Sequence, residues 1–206
     1  MPTGQLYIIS APSGAGKTSL LSALSERMPA LGVSVSTTTR SARSGEREGV
    51  NYFFVDQDAF QKSIAENDFV EYAEVFGNYY GTSRGKLAAQ LESTEDVVLE
   101  IDWQGARKVR AHFPDVVSIF ILPPSTQELA SRLSNRNQDS GEIIAERMRQ
   151  AQSEISHYDE YQYIIINDNF DQALAELEAV FVCHKLSKDR QQRRNPSLFD
   201  DLLASE

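Results

Sequence analysis

The stretch from Gln5 to Leu21, QLYIISAPSGAGKTSLL, decides the fold of this chain. Its apolar residues Leu6 to Ile9 predict a short buried strand, and a helical pattern rich in leucine begins after Thr18. Between the two lies the glycine-rich segment from Ala11 to Thr18. A strand, a glycine-rich turn ending in Lys-Thr and a helix form the context in which a P-loop motif marks a phosphate-binding site.

Each part of this loop suits the binding of phosphate. Gly14 and Gly16 allow backbone N–H groups to converge on phosphate oxygens, and the N-terminus of the following helix adds partial positive charge. We expect Lys17 to reach the β- and γ-phosphates and the Thr18 hydroxyl to bind Mg²⁺. Ala11 replaces the first glycine of the strict motif, but a residue before proline takes a negative φ that alanine adopts easily. The residues predicted to bind a nucleoside triphosphate are Ala11, Pro12, Ser13, Gly14, Ala15, Gly16, Lys17 and Thr18.

The composition is that of an acidic globular protein. Its 206 residues carry a formal net charge of −10 at pH 7, which argues against broad nucleic-acid binding. No apolar stretch approaches the roughly 18 residues needed to span a bilayer, and no basic segment followed by a long apolar run suggests a signal peptide. The single cysteine, Cys183, is consistent with a reducing cytoplasm, and its apolar neighbours predict a packed thiol.

Predicted strands and helices alternate on both sides of a strand-rich middle block. Apolar runs such as 97–102 and 116–122 are typical of parallel strands buried on both faces. The block from 37 to 88 instead contains short strands, a turn at 77–83 and a basic loop, so we interpret it as an insertion. Within that loop Arg40, Arg43 and Arg47 lie close together in an acidic protein, which favours anion binding. The strands predicted after the first are 33–36, 51–55, 69–76, 97–102, 116–122 and 161–167.

Further signals lie in the second half of the chain. Glu100 and Asp102 follow a buried strand whose carboxyl end should lie beside the P-loop. Two predicted helices carrying arginines are joined by the polar segment Asn135 to Gly141, and such a pair is a natural lid. The segment from Ser187 onward is polar and basic, and it is interpreted as a frayed extension or an oligomer contact.

Taken together, these pieces resemble guanylate kinase over about residues 4 to 186. The motifs that carry the resemblance are SAPSGAGKT, STTTRSARSGEREGVNYFF, FVEYAEVFGNYYGTS, LEIDWQGARKV and the PPS…RL…R…ERM run, in that order. The resemblance implies an α/β fold, with a three-layer parallel-sheet P-loop core at 1–36 and 89–206 and a lid near 135–150. It further implies an inserted GMP-binding domain at 37–88. The implied activity is phosphorylation of GMP, and of dGMP, by ATP with Mg²⁺ as cofactor.

The resemblance also assigns residues to the recognition of GMP. Glu71, Ser36 and Thr82 are implied to read guanine, whose N1–H and N2–H₂ donors a carboxylate accepts together. Adenine has an acceptor at N1, so the same carboxylate would repel it. Asp102 is expected near both the guanine edge and the metal. The residues implied to bind the GMP phosphate are Arg40, Arg43, Tyr52 and Tyr80.

Phosphoryl transfer needs positioning and charge compensation more than covalent help. The resemblance places Thr18 at the metal, and Glu100 beside it to hold a Mg²⁺-bound water. No general base is required, because the phosphate of GMP is already an anionic nucleophile. The residues expected around the transferred group are Lys17, Arg40, Arg136 and Arg147.

Two alternatives differ in class. A non-catalytic guanylate-kinase-like interaction module would usually lack the P-loop lysine or the lid arginines, whereas Lys17, Arg136 and Arg147 are present. The second alternative stays within enzymes: a P-loop kinase for another small phosphate, such as a sugar phosphate, would not need the guanine-reading set Ser36, Glu71 and Thr82. We therefore expect GMP and ATP as the small-molecule partners, with no nucleic acid or membrane partner, and both a monomer and a homo-oligomer are compatible with the sequence.

Overall fold

The structure is a computed structural model that describes residues 4–75, 77–93, 96–135 and 141–204. A short 3₁₀ turn, Tyr158–Glu160, precedes the last strand. In chain order the elements are β1 (Gln5–Ser10), α1 (Lys17–Arg27), β2 (Leu31–Val33), β3 (Thr37–Thr38), β4 (Phe53–Phe54), α2 (Gln57–Ala65), β5 (Phe69–Val75), β6 (Asn78–Ser83), α3 (Arg84–Ser93), β7 (Asp96–Glu100), α4 (Trp103–His112), β8 (Val117–Leu122), α5 (Thr126–Asn135), α6 (Gly141–Ile155), β9 (Tyr163–Ile166), α7 (Phe170–Lys185), α8 (Lys188–Arg194) and α9 (Pro196–Leu203).

A five-stranded parallel sheet forms the centre of the molecule, in the strand order β2-β7-β1-β8-β9. The P-loop strand β1 occupies the middle of this sheet, where its side chains are buried on both faces. Its residue Ile9 lies level with Glu100 of β7 on one side and with Ile119 of β8 on the other. Because parallel strands end at the same edge, the P-loop and the acids after β7 are brought side by side.

Helices cover both faces of the central sheet. Alternate residues of β1 point to opposite sides, so Tyr7 and Ile9 pack with α1 and α7 while Leu6 and Ile8 pack with α3 and α4. The result is a layer of helices, a parallel sheet and a second layer of helices. The predicted three-layer α/β fold is confirmed.

A second, four-stranded sheet in the order β4-β3-β6-β5 is formed entirely by residues between 37 and 83. Beside it, α2 begins where Asp56 accepts a hydrogen bond from the amide of Ala59 at 2.7 Å, as its capping pattern predicts. The turn predicted at 77–83 is wrong over most of its length. Asn78–Ser83 form β6, because its backbone pairs with β5 on one side and with β3 on the other.

The helices α5 and α6 pack against each other through a small apolar cluster of Leu129, Leu133 and Ala151. The side-chain hydroxyl of Ser125 accepts a hydrogen bond from the amide of Glu128 and so caps α5. Residues 136–140, which include the predicted site residue Arg136, lie outside the described residues.

The basic C-terminal segment is more ordered than the sequence predicts. Arg190 of α8 is only 4% exposed, and its guanidinium lies 2.7 Å from a carboxylate oxygen of Asp96 at the start of β7. It also lies within 3.5 Å of the Tyr7 hydroxyl. The expectation of a frayed extension is therefore wrong for α8, because a buried ion pair fixes this helix to the central sheet.

Cys183 is exposed, so the predicted packed thiol is wrong. The buried side of α7 is formed by residues such as Leu174, Leu177 and Phe181, which follow the helical period. Cys183 falls outside that stripe, although its sequence neighbours are apolar.

Within the described ranges, the structure contains no helix long and apolar enough to cross a membrane.

Candidate active site

The P-loop adopts a conformation that requires glycine at two positions. Gly14 has φ +89° and Gly16 has φ +94°, a region that residues with a Cβ rarely adopt. Space is also limited, because a Cβ on Gly16 would lie 2.3 Å from the side-chain nitrogen Nδ2 of Asn167. That side chain donates a 2.8 Å hydrogen bond to the carbonyl of Ala15. Asn167 therefore supports the loop from the end of β9, a role that no sequence motif indicated.

Lys17 and Thr18, at the end of the loop, both contact the carboxylate of Glu100. The Thr18 hydroxyl donates to Glu100 Oε1 at 2.8 Å, and Lys17 Nζ lies 3.7 Å from the same oxygen. The structure thus brings Thr18 and Glu100, the two predicted metal-site residues, into direct contact.

This pair of oxygen donors fits a magnesium ion. Mg²⁺ prefers oxygen ligands and usually takes one or two from the protein, with water and phosphate supplying the others. Among the described residues no group of three or more His, Cys, Asp or Glu side chains could hold a metal, and a magnesium site of this kind does not need one.

A cleft opens between the edge of the central sheet and the second sheet. It encloses about 570 Å³ of empty space, including the part that is open to solvent. The P-loop residue Lys17 shares its wall with predicted GMP-binding residues. The residues that line it are Lys17, Ser36, Tyr52, Glu71, Ala73, Val75, Tyr80, Glu100, Ile101 and Asp102.

Glu71 is the buried acid of this cleft. It is 5% exposed, and its Oε1 accepts a 2.6 Å hydrogen bond from the hydroxyl of Thr82, which lies opposite on β6. Burial raises the pKa of Glu71 to about 7, the Thr82 hydrogen bond opposes this rise, and the charge of Asp102 adds to it. Because the carboxylate has lost most of its water, a ligand that offers it hydrogen-bond donors favours the ionised form.

Asp102 has a structural role as well as a place in the cleft. Its Oδ1 accepts a 2.8 Å hydrogen bond from the amide of Gly105, which caps the N-terminus of α4. Asp102 and Glu71 both line the cleft, and a carboxylate oxygen of each lies within 3.4 Å of the position that a Cβ on Gly105 would take. Asp102 therefore lines the cleft on the same side as Glu71.

Arg40 lies near the aromatic wall of the cleft, with its guanidinium carbon 5.2 Å from the centre of the Tyr52 ring. Its Nη2 donates to Glu46 Oε1 at 2.8 Å, and the other carboxylate oxygen of Glu46 accepts from the amide of Arg43 at 2.7 Å. The hydrogen bond from Arg40 is the main cause of a lowered pKa of Glu46. Glu46 thus positions Arg40, whereas the side chain of Arg43 is exposed.

Comparison with known proteins agrees with this geometry. A family model described as guanylate kinase matches residues 3–183. The chain belongs to the guanylate kinase family. The guanylate kinase of Vibrio parahaemolyticus is 55% identical over 206 residues, covering 99% of this chain and 100% of that protein. That of Alkalilimnicola ehrlichii is 54% identical and covers 97% of this chain and 98% of its own length.

A solved guanylate kinase also has this fold. The crystal structure of guanylate kinase from Anaplasma phagocytophilum superposes with a TM-score of 0.75 at 34% identity, covering 91% of this chain and 89% of that one. The predicted resemblance to the guanylate kinase family is confirmed.

Arg147 is not among the residues that line the cleft, although it is predicted to act on the transferred phosphoryl group. Its Nη1 donates to the carbonyl of Leu133 at 3.4 Å, which joins α6 to α5. Arg147 is the one predicted lid arginine among the described residues, and this hydrogen bond links its helix, α6, to α5.

Glu154 of α6 was not predicted, yet it contacts the P-loop directly. Its Oε2 accepts a 3.0 Å hydrogen bond from the amide of Ser13. Burial raises the pKa of Glu154, while the Ser13 amide and the nearby Lys17 oppose the rise. No local pattern could have revealed this contact, because the two residues are 141 positions apart.

A second hollow lies beside the P-loop. Arg132 in its wall donates to the carbonyl of Asn167 at 3.0 Å and pairs with Glu128 at 2.8 Å. The hollow lies against the loop glycines. Its lining residues are Gly14, Gly16, Ser19, Arg132, Asn167, Asp168 and Phe170.

Proposed function

We propose that this chain transfers the γ-phosphoryl group of ATP to GMP, giving ADP and GDP. The observation that carries the proposal is the position of the buried carboxylate of Glu71 in the same cleft wall as the P-loop residue Lys17. A base-reading acid beside a phosphate-binding lysine fits a kinase whose acceptor is a nucleotide. Membership of the guanylate kinase family supports the same activity.

Guanine selectivity is assigned to Glu71, with Ser36 and Thr82 beside it. The ionised carboxylate can accept hydrogen bonds from N1–H and N2–H₂ of guanine, whereas adenine would place an acceptor at N1 against it. The Thr82 hydroxyl already fixes one carboxylate oxygen at 2.6 Å. Asp102, the neighbouring acid, is assigned to the guanine edge. None of these roles involves the ribose 2′-hydroxyl, so dGMP is expected to be accepted as well.

The phosphate of GMP is assigned to the opposite part of the cleft. Arg40 lies over the Tyr52 ring, and Tyr52 and Tyr80 are in edge contact, with ring centroids 6.0 Å apart. Guanidinium groups bind phosphate oxygens bidentately, so Arg40 is the central contact and the tyrosine hydroxyls supply further donors. Arg43 is assigned to the same phosphate from the loop outside the cleft.

ATP is assigned to the P-loop, with the amides of residues 11–18 and Lys17 around its phosphates. Mg²⁺ would be held by Thr18, with Glu100 orienting a bound water, and when bound it would neutralise charge on the transferred group. Within this chain, Lys17 and Arg40 approach the transfer point from the two substrate sides. They hold the phosphates in line and offset the charge between them.

We further propose three parts for the chain: the P-loop core at 1–36 and 89–206, the GMP-binding insertion at 37–88, and a lid near 135–150. Arginines that contact the transferred group cannot remain on it while substrates enter. Arg136 and Arg147 are therefore assigned to a closed state that forms when both nucleotides are bound. Closure would also exclude water and so limit hydrolysis of ATP.

The setting of this activity follows from its substrates. GMP and ATP are the small-molecule partners that the site fits, and the cytoplasm is the proposed location. A net charge of −10 makes nucleic acid an unfavourable partner.

The decisive experiment measures ADP release from ATP with GMP, AMP, UMP or CMP as acceptor. Turnover with GMP alone is expected. Equal turnover with all four acceptors would contradict the proposal, and binding of GMP without any turnover would favour the interaction module instead.

A further inference from the structure

We propose that Gly105 is a specificity-determining position: its missing side chain leaves the space in which Glu71 holds its guanine-reading geometry. Gly105 has no side chain and is not among the residues that line the cleft, so we assign it as a positioning residue that acts through Glu71. This inference rests on the proposed function, because it concerns the recognition of guanine.

The space in question lies between the first turn of α4 and β5. A Cβ built on Gly105 would stand 2.7 Å from Oε2 and 3.2 Å from the carboxyl carbon of Glu71. Ordinary contacts of a Cβ begin at about 3.4 Å. A methyl group here would therefore displace the near carboxylate oxygen by roughly 0.7 Å, a shift of the size that can cost a large part of a binding or catalytic geometry.

Glu71 has little freedom to avoid such a methyl group. Its other oxygen, Oε1, is held by the Thr82 hydroxyl at 2.6 Å, and the residue is 5% exposed. Moving away from position 105 would lengthen or misalign the Thr82 hydrogen bond or turn the carboxylate plane. Either change alters the two oxygens that must face adjacent donors on guanine.

The backbone gives no other reason for glycine at this position. Gly105 lies within α4, where alanine is the better helix former. Its amide donates to Asp102 Oδ1, and a side chain would not remove that donor. What distinguishes Gly105 from an ordinary helical residue is the carboxylate 2.7 Å from its missing Cβ.

The test compares Gly105→Ala with Gly85→Ala. Gly85 is the matched control because it also lies in the first turn of a helix, α3, and among the described residues no heavy atom lies within 4 Å of its missing Cβ. For Gly105→Ala we expect the KM for GMP to rise on the order of 10- to 100-fold and the preference for GMP over AMP to shrink. The KM for ATP and the melting temperature should stay at the values of the control.

A second comparison uses Glu71→Asp, whose carboxylate is one methylene shorter and withdraws from position 105. On that background the added methyl group should cost much less than in the parent protein, so the two substitutions should be coupled in a double-mutant cycle. Losses that simply multiply would overturn the inference.

Other outcomes are equally decisive. A Gly105→Ala protein with the GMP constants and base preference of the Gly85→Ala control would overturn the inference. A lowered melting temperature, or a KM for ATP that rises with that for GMP, would show a structural defect and overturn it too. Failure of the parent protein to phosphorylate GMP would instead refute the proposed function.

Discussion

We expect the affinity for GMP to depend on pH through the ionisation of Glu71. Guanine offers donors, so it needs the ionised carboxylate, whereas protonated Glu71 would present a hydroxyl to one of them. With burial raising the pKa to about 7, roughly nine-tenths of the sites are ionised at pH 8 and one-tenth at pH 6. The Kd for GMP should therefore rise about tenfold as pH falls from 8 to 6.

Calorimetric titration of GMP into the protein between pH 5.5 and 8.5 measures this effect without coupling enzymes. Binding at pH 6 should release close to one proton from Glu71, seen as a dependence of the binding enthalpy on the buffer. The phosphate of GMP also titrates, with a second pKa near 6. Glu71→Gln provides the control, because it keeps the phosphate titration and removes that of the acid. Identical pH profiles for the two proteins would refute the reasoning.

Three further substitutions test separate parts of the molecule. Lys17→Met should lower kcat on the order of 10³-fold or more while calorimetric GMP binding is unchanged, because Lys17 is the loop side chain that reaches the β- and γ-phosphates; near-normal turnover would contradict the ATP site. Arg40→Ala should raise the KM of GMP and of any poorly used monophosphate by a similar factor, since it binds phosphate and not base; a selective loss for GMP would place it at guanine. Arg190→Met should lower the free energy of unfolding in denaturant on the order of 3 kcal/mol, because it leaves the buried charge of Asp96 without its ion-pair partner. The exposed Arg193 of the same helix supplies the control, Arg193→Met, and equal stability of the two variants would count against the ion pair.

The local sequence was sufficient to predict the structure where a short segment determines its own conformation. The P-loop combines a buried strand, glycines and a helix start within one stretch, so its conformation and neighbours could be predicted together. Asp56 as a helix cap depends on the next three residues alone. Glu100 could be placed beside Thr18 because parallel strands end at a common edge, and the structure brings them within 2.8 Å.

Contacts between distant segments could not be predicted in this way. Asn78–Ser83 has the composition of a turn, yet two neighbouring strands provide partners for its backbone. Arg190 appears as one charge in a basic run until the structure shows Asp96 against it. The contact of Glu154 with Ser13 depends on how α6 packs over the loop, and no periodicity in either segment contains that information.

Carboxylates lie against several of the groups that we assign to phosphate binding in this acidic protein. Three of the groups assigned to phosphate lie against a carboxylate: Arg40 against Glu46, Lys17 against Glu100, and the Ser13 amide against Glu154. We expect these contacts to orient the donors, and an incoming phosphate would have to replace or share an existing anion. A single inorganic phosphate gains little from such an exchange, whereas a nucleotide also gains contacts with its base and so favours the exchange. We therefore expect these carboxylates to add selectivity for whole nucleotides, among which Glu71 is proposed to distinguish guanine.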